Sequence, residues 1–268
     1  IVGDWCQKYA NVKLIQNPHK YVPHALNIGI KESKGQFISR LDVHTVYPKN
    51  YFEKCIELSK IINADNIGGT IISCGVSTVG KAIAHSMSSL FGVGNSIPRI
   101  KDYDGYVDTV AFGFWDKKVF SKYGFFDETL IKNQDEDHNY LIIENGGKVY
   151  QSSEIKTYYF VREKIIELIK QMFYYGYYKP AVFVKNISRI KIRHIIPSLF
   201  VVYILLVFFI SKPFWLIPLY SYLVLDILFS MINKENMLTK ITCIIIFPLM
   251  HMNYGIGFIF GIGNAFKK

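Results

Sequence analysis

Over its first two thirds the chain alternates short apolar runs with apolar positions at helical spacing, and then it turns almost continuously apolar. Val12 to Ile15 form a brief apolar run closed by Asn17-Pro18, the pattern of a strand ended by a turn. Ala25, Leu26, Ile28 and Ile30 share a helical face that ends near Gly35, and Phe37 to Leu41 predict the next strand. Tyr51 to Ile62 read as an amphipathic helix, Ile67 to Ile72 as a strand and Lys81 to Phe91 as a second helix. Gly92, Gly94, Asn95 and Pro98 break the chain into a loop. Val107 to Phe112 predict another strand, and Lys117 to Tyr123 a short helix closed by Gly124. A further helical pattern follows Asp135, Glu136 and Asp137 and stops at Gly146-Gly147. Strands alternating with helices predict an α/β domain with a largely parallel sheet.

Between Arg162 and His194 the pattern changes. Met172, Phe173, Tyr174, Tyr175, Tyr177 and Tyr178 crowd together, and Lys179, Lys185, Arg189, Lys191 and Arg193 follow. Aromatics beside cations predict a segment at the headgroup level of a membrane; the competing expectation is a buried aromatic helix of the α/β domain. Ile195 to Ser211, Phe214 to Ile232 and Thr242 to Ile262 are near-continuous apolar runs. Each approaches the roughly 20 residues that cross a hydrocarbon core. The expected organisation is an α/β domain over 1–160, an interfacial basic segment over 161–194 and a transmembrane region of about three spans over 195–268. Gly255, Gly257, Gly261 and Gly263 suit close helix packing, and Asp226 is a costly acid expected to face protein.

Composition narrows the partners. With 19% charged and 50% hydrophobic residues, the chain is neither disordered nor lipid-embedded throughout. A formal net charge of +10 suits nucleic acid or an anionic membrane surface. The cations stand at the edge of the apolar region, so a membrane is the expected partner and nucleic acid is not. Four dispersed cysteines without metal spacing read as small buried residues in a reducing compartment. The chain opens on Ile1-Val2-Gly3-Asp4 without an initiator Met, so a missing upstream portion is expected.

Two stretches carry candidate chemistry. Carboxylates in a first helical turn are favoured by the helix dipole, so Asp135, Glu136 and Asp137 could be ordinary capping residues. Upstream, however, Arg40-Leu41-Asp42-Val43-His44 ends a predicted strand with an acid and an imidazole two residues apart. In an extended chain those two side chains share a face, and ligands of open α/β sheets bind at the carboxyl ends of strands. One stretch offers a candidate base and the other candidate metal ligands, as activation of a sugar hydroxyl beside a diphosphate requires.

These motifs, with Pro23-His24-Ala25-Leu26-Asn27, Phe91-Gly92-Val93-Gly94-Asn95, Val107-Asp108-Thr109-Val110-Ala111-Phe112, Gly124-Phe125-Phe126-Asp127-Glu128 and His251-Met252-Asn253-Tyr254-Gly255, resemble glycosyltransferase family 2, and within it the succinoglycan-biosynthesis glucosyltransferase group. The resemblance implies a GT-A fold and inversion at the anomeric carbon. It implies a nucleotide-sugar donor, expected to be a UDP-hexose, and a lipid-linked saccharide acceptor for exopolysaccharide assembly. A divalent metal, Mn²⁺ or Mg²⁺, would be held by Asp42 and His44 in place of the family's D-x-D. Asp135 matches the catalytic base. Arg40, Asp108, Trp115, Glu136, Asp137, Gln171 and Tyr175 are the implied donor- or acceptor-binding residues. The family's first strand and following Asp-Gly would precede residue 1, and Leu141 stands where an arginine is expected. The implied location is a multi-pass protein of the cell membrane with a cytoplasmic catalytic domain. A catalytically impaired relative acting as an assembly partner is the alternative; a transporter, prompted by Asp226, leaves the polar two thirds unexplained.

Overall fold

The computed structural model describes residues 2–207, 209 and 212–265. Short helices α1 (Val2–Lys8) and α2 (Val22–Glu32) precede a sheet whose strands are β1 (Phe37–Ser39), β2 (Thr45–Val46), β3 (Asn66–Cys74), β4 (Gly105–Tyr106), β5 (Phe114–Asp116) and β6 (Val149–Phe160). Its order is β1-β5-β3-β6-β2, with β4 also paired to β6. Only β3 and β6 run parallel; β1–β5, β3–β5, β2–β6 and β4–β6 are antiparallel. The sheet is therefore mixed where a largely parallel one was expected. The antiparallel members β2, β4 and β5 are only two or three residues long, and each pairs with a strand distant in the chain, so the alternation of strands and helices did not reveal their direction.

Two expected strands are absent. Val12 to Ile15 lie in irregular chain, with Leu14 exposed. Val107 to Phe112 form an irregular loop, and Phe112 takes a left-handed φ of 51°. Side chains satisfy that loop's polar groups: Asn139 Nδ2 donates to Thr109 Oγ1 at 2.9 Å and to the Val110 carbonyl at 3.0 Å, and Tyr51 donates to the Phe112 carbonyl at 3.1 Å. Strand β6, conversely, had no counterpart in the hydrophobic pattern. It carries Gln151, Ser152, Ser153, Glu154 and Lys156, and its register on β3 shifts between Gly69 and Thr70. The extra β6 residues press so close that a Cβ on Gly69 would overlap the Ile155 carbonyl.

Helices α3 (Tyr51–Ile61), α4 (Thr78–Met87), α5 (Leu90–Val93), α6 (Ile97–Ile100), α7 (Lys118–Tyr123) and α8 (Gln134–Glu144) surround the sheet. The C-terminal part is helical: α9 (Ile165–Phe183), α10 (Ile192–Val207), α11 (Ile217–Met231) and α12 (Met237–Ala265). A core cluster joins Ile71 of β3 and Tyr159 of β6 to Ile83 and Met87 of α4, Leu168 and Met172 of α9, and Ile246, Phe247 and Met250 of α12. The last apolar run is thus built into the core of the α/β domain on one side.

Among the described residues two helices are long and apolar enough to cross a membrane, Pro213–Met231 and Met237–Ala265, where about three spans were expected. The first apolar run folds as α10, which is shorter; Ser211 lies outside the described residues. Asp226 is fully buried and accepts a hydrogen bond from Ser230 at 3.4 Å.

Helix α12 lies on α9 backbone to backbone. A Cβ on Gly257 would overlap the Phe173 carbonyl, one on Gly261 the Tyr177 carbonyl, and one on Gly176 the Tyr254 carbonyl. Gly263 has open space around it. Gly257→Leu is expected to destabilise the fold by about 1–3 kcal/mol or more through overpacking, and Gly263→Leu to leave it unchanged. Thermal unfolding in detergent checks this; equal midpoints for the two variants would contradict the packing.

Candidate active site

The site begins where β1 ends. Arg40 N–H donates to the Gly113 carbonyl at 3.3 Å, prolonging the β1–β5 edge by one residue, and the chain then turns. Thr45 N–H donates to the Asp42 carbonyl at 3.1 Å, so Asp42 and His44 sit in a turn and not on an extended strand. Asp42 N–H donates to the Tyr47 hydroxyl at 2.9 Å. The Arg40 guanidinium holds Asp42 through Nε at 3.1 Å and Nη2 at 3.0 Å, and reaches Asp135 through Nη1 at 3.4 Å. One side chain therefore joins the turn after β1 to the start of α8. Burial works against the Arg40 charge, and Asp135 and Asp42 more than restore it, so the guanidinium holds its proton more tightly than usual.

Asn133 starts α8 in a left-handed conformation (φ 63°), which asparagine tolerates, and makes no side-chain cap. The three acids that follow point to different cations, four in all. Asp135 goes to Arg40 and is about a third exposed. Glu136 is buried against Lys179 of α9, with the His194 ring 3.9 Å away. Asp137 is buried between Arg189 at 2.7 Å and Lys185 at 2.8 Å.

A cavity of about 1420 Å³ opens on this junction. Arg40, Asp42, His44, Asp135 and Glu136 line one part of it, and Gln171, Tyr175 and Lys179 of α9 line another. Those α9 residues are spaced by four, so they share a helix face. Gln171 Nε2 donates to the Tyr175 hydroxyl at 2.9 Å and to the Tyr159 hydroxyl at 3.3 Å. Phe200, Tyr222 and Met250 carry the cavity on between the C-terminal helices.

The Asp42–His44 pair fits a divalent cation by donor chemistry. Asp42 accepts two hydrogen bonds from Arg40, which leaves a lone pair on each oxygen. Burial holds the His44 ring below the usual imidazole range; Asp42 pulls the other way, and the Arg162 and Arg40 cations add to the burial. A neutral ring is the ligating form. Among the described residues no three His, Cys, Asp or Glu side chains gather as a cage. A cation here would depend on phosphate oxygens and water for its remaining ligands, as Mg²⁺ commonly does.

Three expected site residues stand elsewhere. Trp115 is buried beside Phe120, Phe126 and His138, in a core cluster with Ile30 and Ile142, so it offers no face to a ligand. Asp137 is a buried structural acid, engaged by two cations. Asp108 lies off the cavity wall and pairs with Arg193 at 3.3 Å. The basic run is paired with acids of the α/β domain: Lys179 with Glu136, Lys185 with Asp127 and Asp137, Arg189 with Asp137 and Glu144, and Arg193 and the partly exposed Lys191 with Asp108. Their spacing beside an apolar region pointed to a membrane surface; only the fold shows that Glu136, Asp137, Glu144 and Asp108 face them. Tyr159 and Arg99 line the cavity and carried no signal in the sequence beyond residue type.

Residues 1–124 match the model of Glycosyl transferase family 2, which takes in Arg40, Asp42 and His44 and stops short of Asp135. The succinoglycan biosynthesis protein ExoA of Rhizobium meliloti (strain 1021) is 25% identical over 188 residues, 69% of this chain and 57% of that protein. The dolichyl N-acetyl-alpha-D-glucosaminyl phosphate 3-beta-D-2,3-diacetamido-2,3-dideoxy-beta-D-glucuronosyltransferase of Methanococcus voltae is 25% identical over 174 residues, 63% of this chain and 54% of that protein. The chain thus spans little more than half the length of these two relatives. The mannosyltransferase PcManGT from Pyrobaculum calidifontis, solved in complex with GDP-Man and Mn²⁺, superposes with a TM-score of 0.55 at 10% identity, over 100% of this chain and 74% of its own. The fold is GT-A-like, as the resemblance implied.

The divergence of the three acids separates structure from chemistry. Asp137→Asn leaves Arg189 and Lys185 short of a buried counter-charge, and a loss towards the low end of roughly 3–5 kcal/mol is expected, since Glu144 still pairs Arg189. Asp135→Asn, at a partly exposed position, is expected to leave stability within about 0.5 kcal/mol. Denaturant unfolding of both variants is the check. An Asp137→Asn protein as stable as Asp135→Asn would refute the division.

Proposed function

We propose, from the match of residues 1–124 to the family 2 glycosyltransferase model, that the protein moves a sugar from a nucleotide diphosphate donor to a lipid-linked saccharide acceptor, with inversion at the anomeric carbon. The observation that carries this reading is the Arg40 clasp, which brings Asp42 and Asp135 onto the wall of one large cavity. Asp135 is the base: a carboxylate, about a third exposed, takes the proton of the acceptor hydroxyl as that oxygen attacks. Arg40 orients Asp135 and Asp42 relative to each other and keeps two nearby negative charges compatible. Asp42 and His44 would hold a divalent cation, Mn²⁺ or Mg²⁺; when bound it neutralises charge on the departing diphosphate. Gln171 and Tyr175, tied to each other on α9, line the region that a sugar would occupy. The resemblance favours a UDP-hexose as donor, and the structural neighbour was solved with GDP-Man, so both classes are donors to test.

Transfer to membrane acceptors, measured on the full-length protein with UDP-hexoses and GDP-mannose, tests the assignment. Asp135→Asn is expected to lower the rate ~10²–10⁴-fold with donor binding retained. Chelation is expected to abolish transfer, Mn²⁺ or Mg²⁺ to restore it, and His44→Ala to raise the metal concentration required. Near-normal turnover of Asp135→Asn would remove it from the mechanism, and full activity in excess chelator would remove the cation.

The same reading puts the protein in the cell membrane with its catalytic part cytoplasmic. Support comes from α11, where Leu223, Val224, Leu225, Ile227 and Leu228 are all exposed, an apolar surface suited to lipid. The turn between α11 and α12 is held to α4 of the α/β domain by the Lys81–Glu235 pair at 2.9 Å, so it lies on the same side as the catalytic part. Single-cysteine labelling at that turn is expected from the cytoplasmic side, in protein that resists release by alkaline carbonate. Labelling there only from outside the cell, or release of the protein by alkaline carbonate, would overturn the arrangement.

A further inference from the structure

Three of the cations on the cavity wall are neutralised within the protein: Arg40 serves Asp42 and Asp135, Lys179 serves Glu136, and Arg193 serves Asp108. Arg99, carried on the single turn of α6, stands out by a buried donor that is left open. Among the described residues it has no carboxylate partner, and its Nη1 is buried without a hydrogen-bond acceptor. A guanidinium carries its charge at any physiological pH, and a buried donor left unsatisfied is costly. In a cavity wall that cost is removed by a ligand.

The surroundings identify the ligand's chemistry. The Arg99 guanidinium lies over the Tyr159 ring at 5.4 Å, a contact that fixes its plane. The His44 ring meets the same Tyr159 ring edge-on at 4.8 Å, and β2–β6 pairing sets Thr45 opposite Tyr159. Arg99 therefore stands one aromatic ring away from the Asp42–His44 turn, on the same cavity wall. Gln171 Oε1 is a second buried atom without a partner there, and it offers an acceptor to a hydroxyl. A planar, permanently charged fork with a free N–H edge matches phosphoryl oxygens better than it matches an uncharged sugar.

We propose that Arg99 is a phosphoryl-binding residue of the cavity, taking an oxygen of the leaving nucleoside diphosphate through Nη1 while Tyr159 holds its plane. This rests on the transferase reading above. The acceptor's lipid phosphate presents the same chemistry, and the two sources separate by experiment. Full-length protein in lipid nanodiscs would be titrated calorimetrically with UDP and GDP in the presence of Mn²⁺, and separately with a long-chain prenyl diphosphate. Arg99→Gln is expected to weaken nucleoside diphosphate binding about tenfold or more, with an unchanged unfolding midpoint, and Arg99→Lys to retain part of the affinity. A loss confined to the prenyl diphosphate would keep the phosphoryl role and assign it to the acceptor. Equal affinities of wild type and both variants for every probe would overturn the proposal alone. Wild-type protein that binds none of the probes would overturn the transferase reading, and the assignment of Arg99 with it.

Discussion

The backbone contact between α9 and α12 decides what the cavity can present. Helix α9 leaves β6 with two jobs on two faces. Gln171, Tyr175 and Lys179 look into the cavity, while Phe173, Gly176 and Tyr177 meet α12. Only glycine at Gly257 and Gly261 lets the α12 backbone approach the Phe173 and Tyr177 carbonyls. A wider separation would move Lys179 away from Glu136, leaving two buried charges apart, and would open the cluster that joins Leu168 and Met172 to Phe247 and Met250. The apolar tail is thus a wall of the cavity.

The second constraint is electrostatic. Three consecutive acids at the start of one helix repel each other and are held by the positive end of its dipole for only part of their charge. The fold resolves this by sending each carboxylate to a cation from a different segment: Arg40 after β1, Lys179 on α9, and Lys185 with Arg189 after it. The consequence is an ordering by burial. Glu136 and Asp137 are buried in ion pairs that bind the C-terminal segment to the α/β domain, and Asp135 is the most exposed of the three at the cavity.

That ordering explains which parts of the chain could be read from its residues. Arg40, Asp42, His44, Asp135, Gln171 and Tyr175 line one cavity because their segments sit where the α/β pattern turns or leaves the sheet, and the chain order of those turns was plain. The burial of Trp115 and Asp137 was not legible, because residue type alone does not tell a buried aromatic or acid from an exposed one; burial and partner are tertiary facts. The partners of the basic run were hidden for the same reason, since its five cations look alike in sequence whatever they face. Strand β6 escaped because a bulge interrupts its period, although Ile155, Thr157 and Tyr159 do alternate inward. The loop over Val107 to Phe112 has strand composition, and Asn139, some thirty residues away, satisfies the polar groups that a neighbouring strand would have taken.

The apolar end of the cavity is as firmly built as the charged end. Phe91 of α5 packs its ring on Tyr222 and Phe229 of α11 and on Phe247 of α12. The His251 Nε2 lies 2.9 Å from the Phe91 carbonyl, and its Nδ1 lies 2.9 Å from the Tyr222 hydroxyl. A carbonyl only accepts, so Nε2 carries the proton and Nδ1 accepts from Tyr222. Both ring nitrogens are thereby satisfied, and α5, α11 and α12 are fixed to one another by directional bonds as well as by aromatic packing. Enclosure of a charged end and an apolar end in one cavity is what distinguishes this site from a pocket for a small sugar alone. The C-terminal helices thus give the cavity its apolar end, as the turn after β1 and the start of α8 give it its charged one.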